Sequence, residues 1–501
     1  MKKNFLTFIL LFLIAFVSVG CGESESKVRT LRIYNWQDYI DEGLDENGEK
    51  VSTSVMEEWA LDYQSRTGEK VEFVYNTFET NEYMLNVLKT GSEHYDLVCP
   101  SDYYIQKMIS EDMLEKLNYT DEEGYKNVTN FNDYGSPYVK EIFESYQTTN
   151  KKTNETLSWA NYAIPYMWGT MGFVYDMDEV KYEDVSTWDI LWNQEYAKMS
   201  TAKNSVHDTY VAGAMHVYKD ELLALKEQYE ASAKTQADKD EYNGKITEIM
   251  NRFDDETIDK VETALIEMKN NFYGFEVDNG KTDILGGTIK INFAWGGDAV
   301  YSMDTADEDG KKTLGYAIPQ EGSNVFFDGW VMPKGADVEL AEDFLNFLCR
   351  PDIAARNMGF IGYTSCIAGD EVWSLVNEWY AVEDGEEGYI RDLSYFFGGT
   401  IDEEFLTDGK ALITVYEEGR QFDAQYPTID VLLRCGVMKD FGAQNDQVLL
   451  MWENVKCGEI GGWLWVGFAM LLAVVGVFVA YQIKLNNKKK RRRRFSKWKL
   501  N

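Results

Sequence analysis

The sequence predicts an α/β fold with a helical insertion and a C-terminal transmembrane helix, on three observations. Short runs of strand character alternate with helix-period segments from Leu31 to Cys99, and a second such series begins at Tyr162; this alternation implies a parallel sheet with helices on its faces. The stretch from Lys219 to Asn271 is charged, free of proline and apolar at helical spacing. Gly461 to Ile483 is a run of just over 20 residues without Asp, Glu, Lys or Arg, which is enough for one crossing of a hydrocarbon layer about 30 Å thick.

In chain order, Leu31 to Trp36 alternates faces as a strand, and Val51 to Thr67 reads as a helix burying Val55, Trp59, Leu61 and Tyr63 or their neighbours. Val71 to Tyr75 is a second strand, Asn81 to Thr90 a helix and Tyr95 to Cys99 a third strand. Ligands of parallel sheets bind at the carboxyl ends of the strands, where Trp36 and Ser101 fall. The second series opens with Tyr162–Tyr166 and Gly172–Tyr175. It is interrupted over 219–271 by an expected helical hairpin on the surface, with Leu222, Leu225, Ile246, Ile249, Ile258, Val261, Leu265 and Met268 on its apolar stripe.

Both ends carry targeting features. Met1-Lys2-Lys3-Asn4 followed by Phe5 to Val19 has the basic start and apolar core of a secretory signal over residues 1–20. Ser18-Val19-Gly20-Cys21 resembles a lipobox without its usual leucine, which makes Cys21 the candidate lipidation site. After the apolar run, residues 484–501 hold ten basic and no acidic side chains, a cytoplasmic tail under the positive-inside rule. Everything between the two ends is expected outside the cytoplasmic membrane.

The formal net charge is −36, and the basic tail leaves −46 for the rest of the chain. So acidic a body repels phosphate backbones, which argues against nucleic acid; it also attracts cations, although a surplus of Asp and Glu is more often just a solvated surface. Three histidines and six cysteines without short repeated spacing give no metal site. A phosphate loop, a dinucleotide-binding glycine motif and a nucleophile elbow are missing; no cofactor is expected, and a secreted hydrolase lacks any recognisable catalytic set.

Six segments recur in order. Tyr34-Asn35-Trp36-Gln37-Asp38-Tyr39, the run Tyr95 to Tyr104, Ile164-Pro165-Tyr166-Met167-Trp168-Gly169, Ala294-Trp295-Gly296-Gly297-Asp298-Ala299, Phe347 to Asp352 and Ile361-Gly362-Tyr363 together resemble the signature segments of spermidine/putrescine-binding proteins. The resemblance covers Leu31 to about Lys456, apart from the helical insertion. It implies a two-lobe periplasmic-binding-protein fold of type II with a ligand cleft between lobes: residues 28–168 and 327–370 in one lobe, 169–326 and 371–456 in the other. It also implies a separate ABC permease and ATPase as partners.

Carried over position by position, the resemblance makes Trp36, Tyr39, Tyr103, Trp295 and Tyr363 aromatic walls, with Phe326 where the family usually has tryptophan. Asp38, Asp208 and Asp328 would receive amines, and Ser101 would be a polar contact. The chemistry is consistent with this. A buried ammonium needs a carboxylate, and aromatic rings cover methylenes while attracting the cation by roughly 0.5–2 kcal/mol. One family acid is replaced near Asn204 or Ser205, so a triamine is expected to lose more affinity than a diamine unless Asp298 or Asp102 compensates. The family's late glutamine falls near Met438 and is not carried over. The competing function is a membrane-tethered sensor or receptor for an organic cation or another small solute, which the extra membrane segment favours.

Overall fold

A computed structural model describes residues 28–44, 48–383 and 385–457, together with Met470. The signal segment, Cys21, the apolar run 461–483 read as a transmembrane helix and the basic tail lie outside this description, Met470 apart. No helix among the described residues is long and apolar enough to cross a membrane.

The chain forms two compact units. Unit 1 takes the chain up to Gly169, Phe326–Glu418 and Phe422–Ile429; unit 2 takes Thr170–Val325, Gly419–Gln421 and the chain from Asp430. Residues 371–418 thus group with the first unit and not with the second lobe to which the resemblance assigns them.

Unit 1 opens with strand β1 (Arg29–Trp36), helix α1 (Val55–Thr67), strand β2 (Val71–Phe78), helix α2 (Asn81–Thr90), strand β3 (Leu97–Val98) and helix α3 (Asp102–Ser110). β1 pairs in parallel with β2, from Arg29 opposite Val71 to Trp36 opposite Phe78, and with β3, Ile33 opposite Leu97. The parallel sheet expected from the alternation is present. α1 starts at Val55 and not at Val51 because Ser54 and Glu57 form a reciprocal capping box, satisfying backbone donors that the helix leaves orphaned. Its inner face buries Trp59 against Phe344, and the indole N–H donates to Asp343 at 2.9 Å.

Strand β4 (Ala163–Asp176) then carries the chain out of unit 1 at Gly169. A Cβ on Gly169 would stand 2.9 Å from Phe326 Cζ, so this close approach of backbone to ring requires glycine.

In unit 2, strand β5 (Ser200–Lys203) is followed by helices α4 (Val206–Val217), α5 (Lys219–Glu230), α6 (Gln236–Met250) and α7 (Asp255–Asn271). Strand β6 (Gly274–Glu276), strand β7 (Ile291–Trp295), helix α8 (Gly296–Asp309) and strand β8 (Leu314–Ala317) come next. β5 is flanked in parallel by β6 and β7, while β7 and β8 both pair antiparallel with β4.

The expected hairpin over 219–271 is three helices. Thr235 and Asp238 form a capping box that starts α6 after a turn at Lys234, whose φ is +54°, and Asp254 caps α7. Nor is the insertion a surface feature alone: Leu222, Ile246, Ile249, Ile258, Val261, Leu265 and Met268 are all buried, with Leu225 only half-buried. Gly213 lets α4 approach α7, since a Cβ there would meet Val261 Cγ1 at 2.9 Å.

The chain re-enters unit 1 along strand β9 (Ser323–Val331), whose Val331 pairs with Val98. Helices α9 (Val338–Leu348), α10 (Pro351–Ile361) and α11 (Asp370–Tyr380) follow. Residues 371–418 belong here for a packing reason. Trp373 packs edge-on against Phe397 at 5.1 Å, and Phe396 stacks on Trp168 at 5.6 Å and meets Tyr426 at 5.4 Å. Large aromatic contacts of this kind fix which core a segment joins.

Candidate functional site

Asp328 on β9 is the centre of the predicted residues in unit 1. Its carboxylate accepts from Tyr39 Oη and from Ser101 Oγ, each at 2.7 Å. Ser101 occupies the N-cap position of α3 but makes no side-chain cap bond; its hydroxyl, usually spent on the helix end, is directed to Asp328 instead. A backbone bridge between Ser101 and Asp328 fixes the pair.

Burial pushes the Asp328 carboxyl from 3.8 up to about 6, against the two hydroxyl donors that favour its ionised form. Desolvation therefore outweighs hydrogen bonding here. Among the described residues, no Lys, Arg or His forms an ion pair with Asp328. A buried carboxylate with only neutral donors has a strong unmet demand for a cation.

Tyr39, which donates to Asp328, belongs to an aromatic cluster. Tyr39 packs edge-on against Tyr363 at 5.6 Å and Tyr166 at 5.8 Å, and Phe326 packs edge-on against Tyr363 at 6.2 Å. The Tyr39 hydroxyl is held well above its ordinary range, first by burial and then by the Asp328 charge, so it stays a donor. Tyr103 joins through Asn81, whose amide donates to Tyr103 Oη at 3.1 Å and to Ser101 Oγ at 3.2 Å.

Trp36, at the end of β1, lies over Phe78 at 4.5 Å, and its indole N–H is buried with no hydrogen-bond acceptor. Asp38 stands differently from the rest. It is exposed, in a turn with φ +53°, and the structure does not gather it around Asp328.

Unit 2 holds Asp208 and Trp295. Asp208 is buried in the first turn of α4, where Ser205 Oγ caps the Asp208 N–H at 3.4 Å. A carboxylate at a helix N-terminus is stabilised by the partial positive charge there. Trp295 ends β7 and stands at the N-cap position of α8.

The ring of Trp295 faces a residue that the sequence reading missed: Lys203 Nζ lies 4.0 Å from its centroid. Lys203 is 1% exposed and pairs with Glu276 Oε1 at 3.0 Å and Asp298 Oδ2 at 3.4 Å. A lysine closing a strand that is otherwise buried was the available signal, since lysine is almost never fully buried unless paired.

The two acids considered as substitutes for the missing one are both engaged. Asp298 is shared by Lys203 and Lys281, and Asp102 accepts the backbone N–H of Tyr103 at 2.6 Å and of Phe327 at 3.2 Å.

Comparison with known proteins shows what this chain is similar to. The family model of the bacterial extracellular solute-binding proteins matches residues 58–369. The putrescine-binding periplasmic protein PotF of Escherichia coli is 26% identical over 373 residues, covering 73% of this chain and 85% of that protein. The spermidine/putrescine-binding periplasmic protein of Salmonella typhimurium is 27% identical over 336 residues, covering 67% and 76%.

The fold is similar to that of the spermidine/putrescine ABC transporter substrate-binding protein PotD of Streptococcus pneumoniae. That likeness has a TM-score of 0.53 at 21% identity and covers 85% of this chain and 99% of that one. The PotD lipoprotein of Treponema pallidum gives the same TM-score and coverage at 18% identity. Matched over more than half its length by the family model, the chain belongs to the bacterial extracellular solute-binding proteins.

Proposed function

We propose that the protein captures a di- or polyamine, putrescine or spermidine, outside the cytoplasmic membrane and delivers it unchanged to an ABC uptake permease with its ATPase. The observation that carries this reading is Asp328, a buried carboxylate with two neutral donors and no cation of its own among its described contacts, walled by Tyr39, Phe326 and Tyr363. An alkylammonium supplies the missing charge, and its methylenes suit the rings. The named relatives, which bind putrescine or spermidine, support the same ligand class. Trp36, Ser101, Tyr103, Asp208 and Trp295 are the further proposed contacts, and Asp38 is the outlying one.

Calorimetric titration of the full chain in mild detergent with putrescine, spermidine and a panel of other organic cations tests the function, with the ligand recovered afterwards and weighed by mass spectrometry. Saturable binding of an amine and its recovery unchanged are expected. A converted product, or no binding across the panel, refutes the reading.

Attachment to the membrane through Cys21, through 461–483 or through both is part of the same proposal and rests on sequence pattern alone. Protease added to intact cells should digest the body and spare residues 484–501; a digested tail with a spared body would refute this topology.

A further inference from the structure

Two clusters in this chain have the ingredients of an ammonium site, and they differ in one respect. Around Asp328 the carboxylate and rings come without a cation. In unit 2 the carboxylates of Glu276 and Asp298, the Val277 carbonyl and the face of Trp295 surround Lys203 Nζ, at 3.0, 3.4, 3.1 and 4.0 Å respectively.

An ammonium has three N–H donors and no acceptor. Two of the donors reach the Val277 carbonyl and Asp298, while Glu276 balances the charge as an ion pair at 3.0 Å and the Trp295 face covers the remaining side. Those groups are what an incoming alkylammonium would itself require, and they are taken by the side chain of a residue that closes β5. Its four-carbon stem is buried with it, so the ammonium is held and not merely near.

We infer that Lys203 is a tethered surrogate amine. It fills the aromatic and carboxylate site of unit 2 from within the chain and thereby sets the number of amines that a ligand can usefully present. This rests on the polyamine reading and sharpens it. The Trp295 face covered by Lys203 is closed to a ligand ammonium, so a third amine gains no partner there and the preferred ligand is a diamine.

The other cation near this cluster, Lys281, approaches Asp298 at 3.5 Å and pairs with Asp278 at 2.6 Å. Removing Lys203 thus takes from Glu276 the ion-pair partner it has among the described residues, while Asp298 keeps Lys281 at 3.5 Å. The vacated space between Trp295 and these acids would suit the terminal ammonium of a longer amine.

The test is the ratio of spermidine to putrescine affinity, measured by calorimetry on the full chain and on Lys203→Met. In the unaltered protein putrescine should bind at least as tightly as spermidine. In Lys203→Met the ratio should move at least tenfold towards spermidine, and spermidine should raise the melting temperature of the variant more than that of the parent. An unchanged ratio in a folded Lys203→Met, with putrescine still bound, overturns the inference and leaves the polyamine reading standing. Absence of polyamine binding in the unaltered protein instead removes both.

Since Lys203→Met leaves Glu276 buried without a counter-charge, Lys203→Met/Glu276→Gln serves as the second variant. It keeps the charge balance and Asp298, and the same shift towards spermidine is expected. If neither variant melts cooperatively, the parent ratio decides: spermidine binding tenfold tighter than putrescine overturns the inference.

Discussion

Acidification from pH 7.5 to pH 5 should weaken amine binding about elevenfold, and the group responsible is Asp328. Its carboxyl is held near 6 by burial, while alkylammonium groups stay charged across this range. Only the ionised carboxylate attracts the cation, so affinity follows its ionised fraction. That fraction is about 97% at pH 7.5 and about 9% at pH 5 for a group titrating near 6.

The sign for stability runs the other way in the ligand-free protein. The folded chain holds the Asp328 proton more tightly than the unfolded chain, whose carboxyl titrates near 3.8. This preference stabilises the fold fully below about pH 3.8 and is lost as pH rises through about 6. The whole difference is about 3 kcal/mol at 1.36 kcal/mol for each tenfold change in proton affinity. Ligand should therefore stabilise the protein much more at pH 7.5 than at pH 5.

Calorimetry at the two pH values measures the first effect, and thermal melts with and without putrescine measure the second. Asp328→Asn should bind about ten- to a hundredfold more weakly at pH 7.5, the worth of a charged hydrogen bond of about 1.5–3 kcal/mol, and should show little remaining dependence on pH. Equal affinity of the unaltered protein at both pH values, or an undiminished pH dependence in Asp328→Asn, would refute the reasoning.

Ser101→Ala removes one of the two donors that hold Asp328 ionised, so the midpoint of the binding profile should move to higher pH and affinity at neutral pH should fall several-fold by the same calorimetry; an unmoved midpoint argues against the bond. Gly169→Ala places a methyl 2.9 Å from Phe326 Cζ, and the overpacking should cost about 1–3 kcal/mol in chemical denaturation; a variant as stable as the parent would show that the ring yields freely. Ser205→Asp puts an acid back where the family has one while keeping an N-cap residue on α4. It should favour spermidine over putrescine in paired titrations, and an unchanged preference would show that the lost carboxylate does not set ligand length.

Local sequence determined the elements whose partners are close in the chain. The alternation of strand and helix from Leu31 to Cys99 specifies a parallel sheet because side-chain period and turn chemistry are read over a few residues, and β1, β2 and β3 pair accordingly. The resemblance carried by the ordered motifs implied the residues around Asp328, and of the site residues only Trp36 and Ser101 also followed from their place at the ends of parallel strands. Helix starts were less legible: Ser54 and Thr235 each cap a helix through a residue three positions on, a signal easily lost inside a charged stretch. The grouping of residues 371–418 with unit 1 was not legible either, because Phe396 chooses its core through Trp168, far away in sequence.

Charge pairing was decided by tertiary structure alone. Nothing local distinguishes Asp328 from Asp298, yet one is buried among hydroxyls and rings while the other is claimed by Lys203 and Lys281. Composition supplies the charges of both, and electrostatics in a buried site depends on which groups the fold brings within a few ångströms. That spacing is a property of strand ends meeting in three dimensions, and no window of sequence contains it.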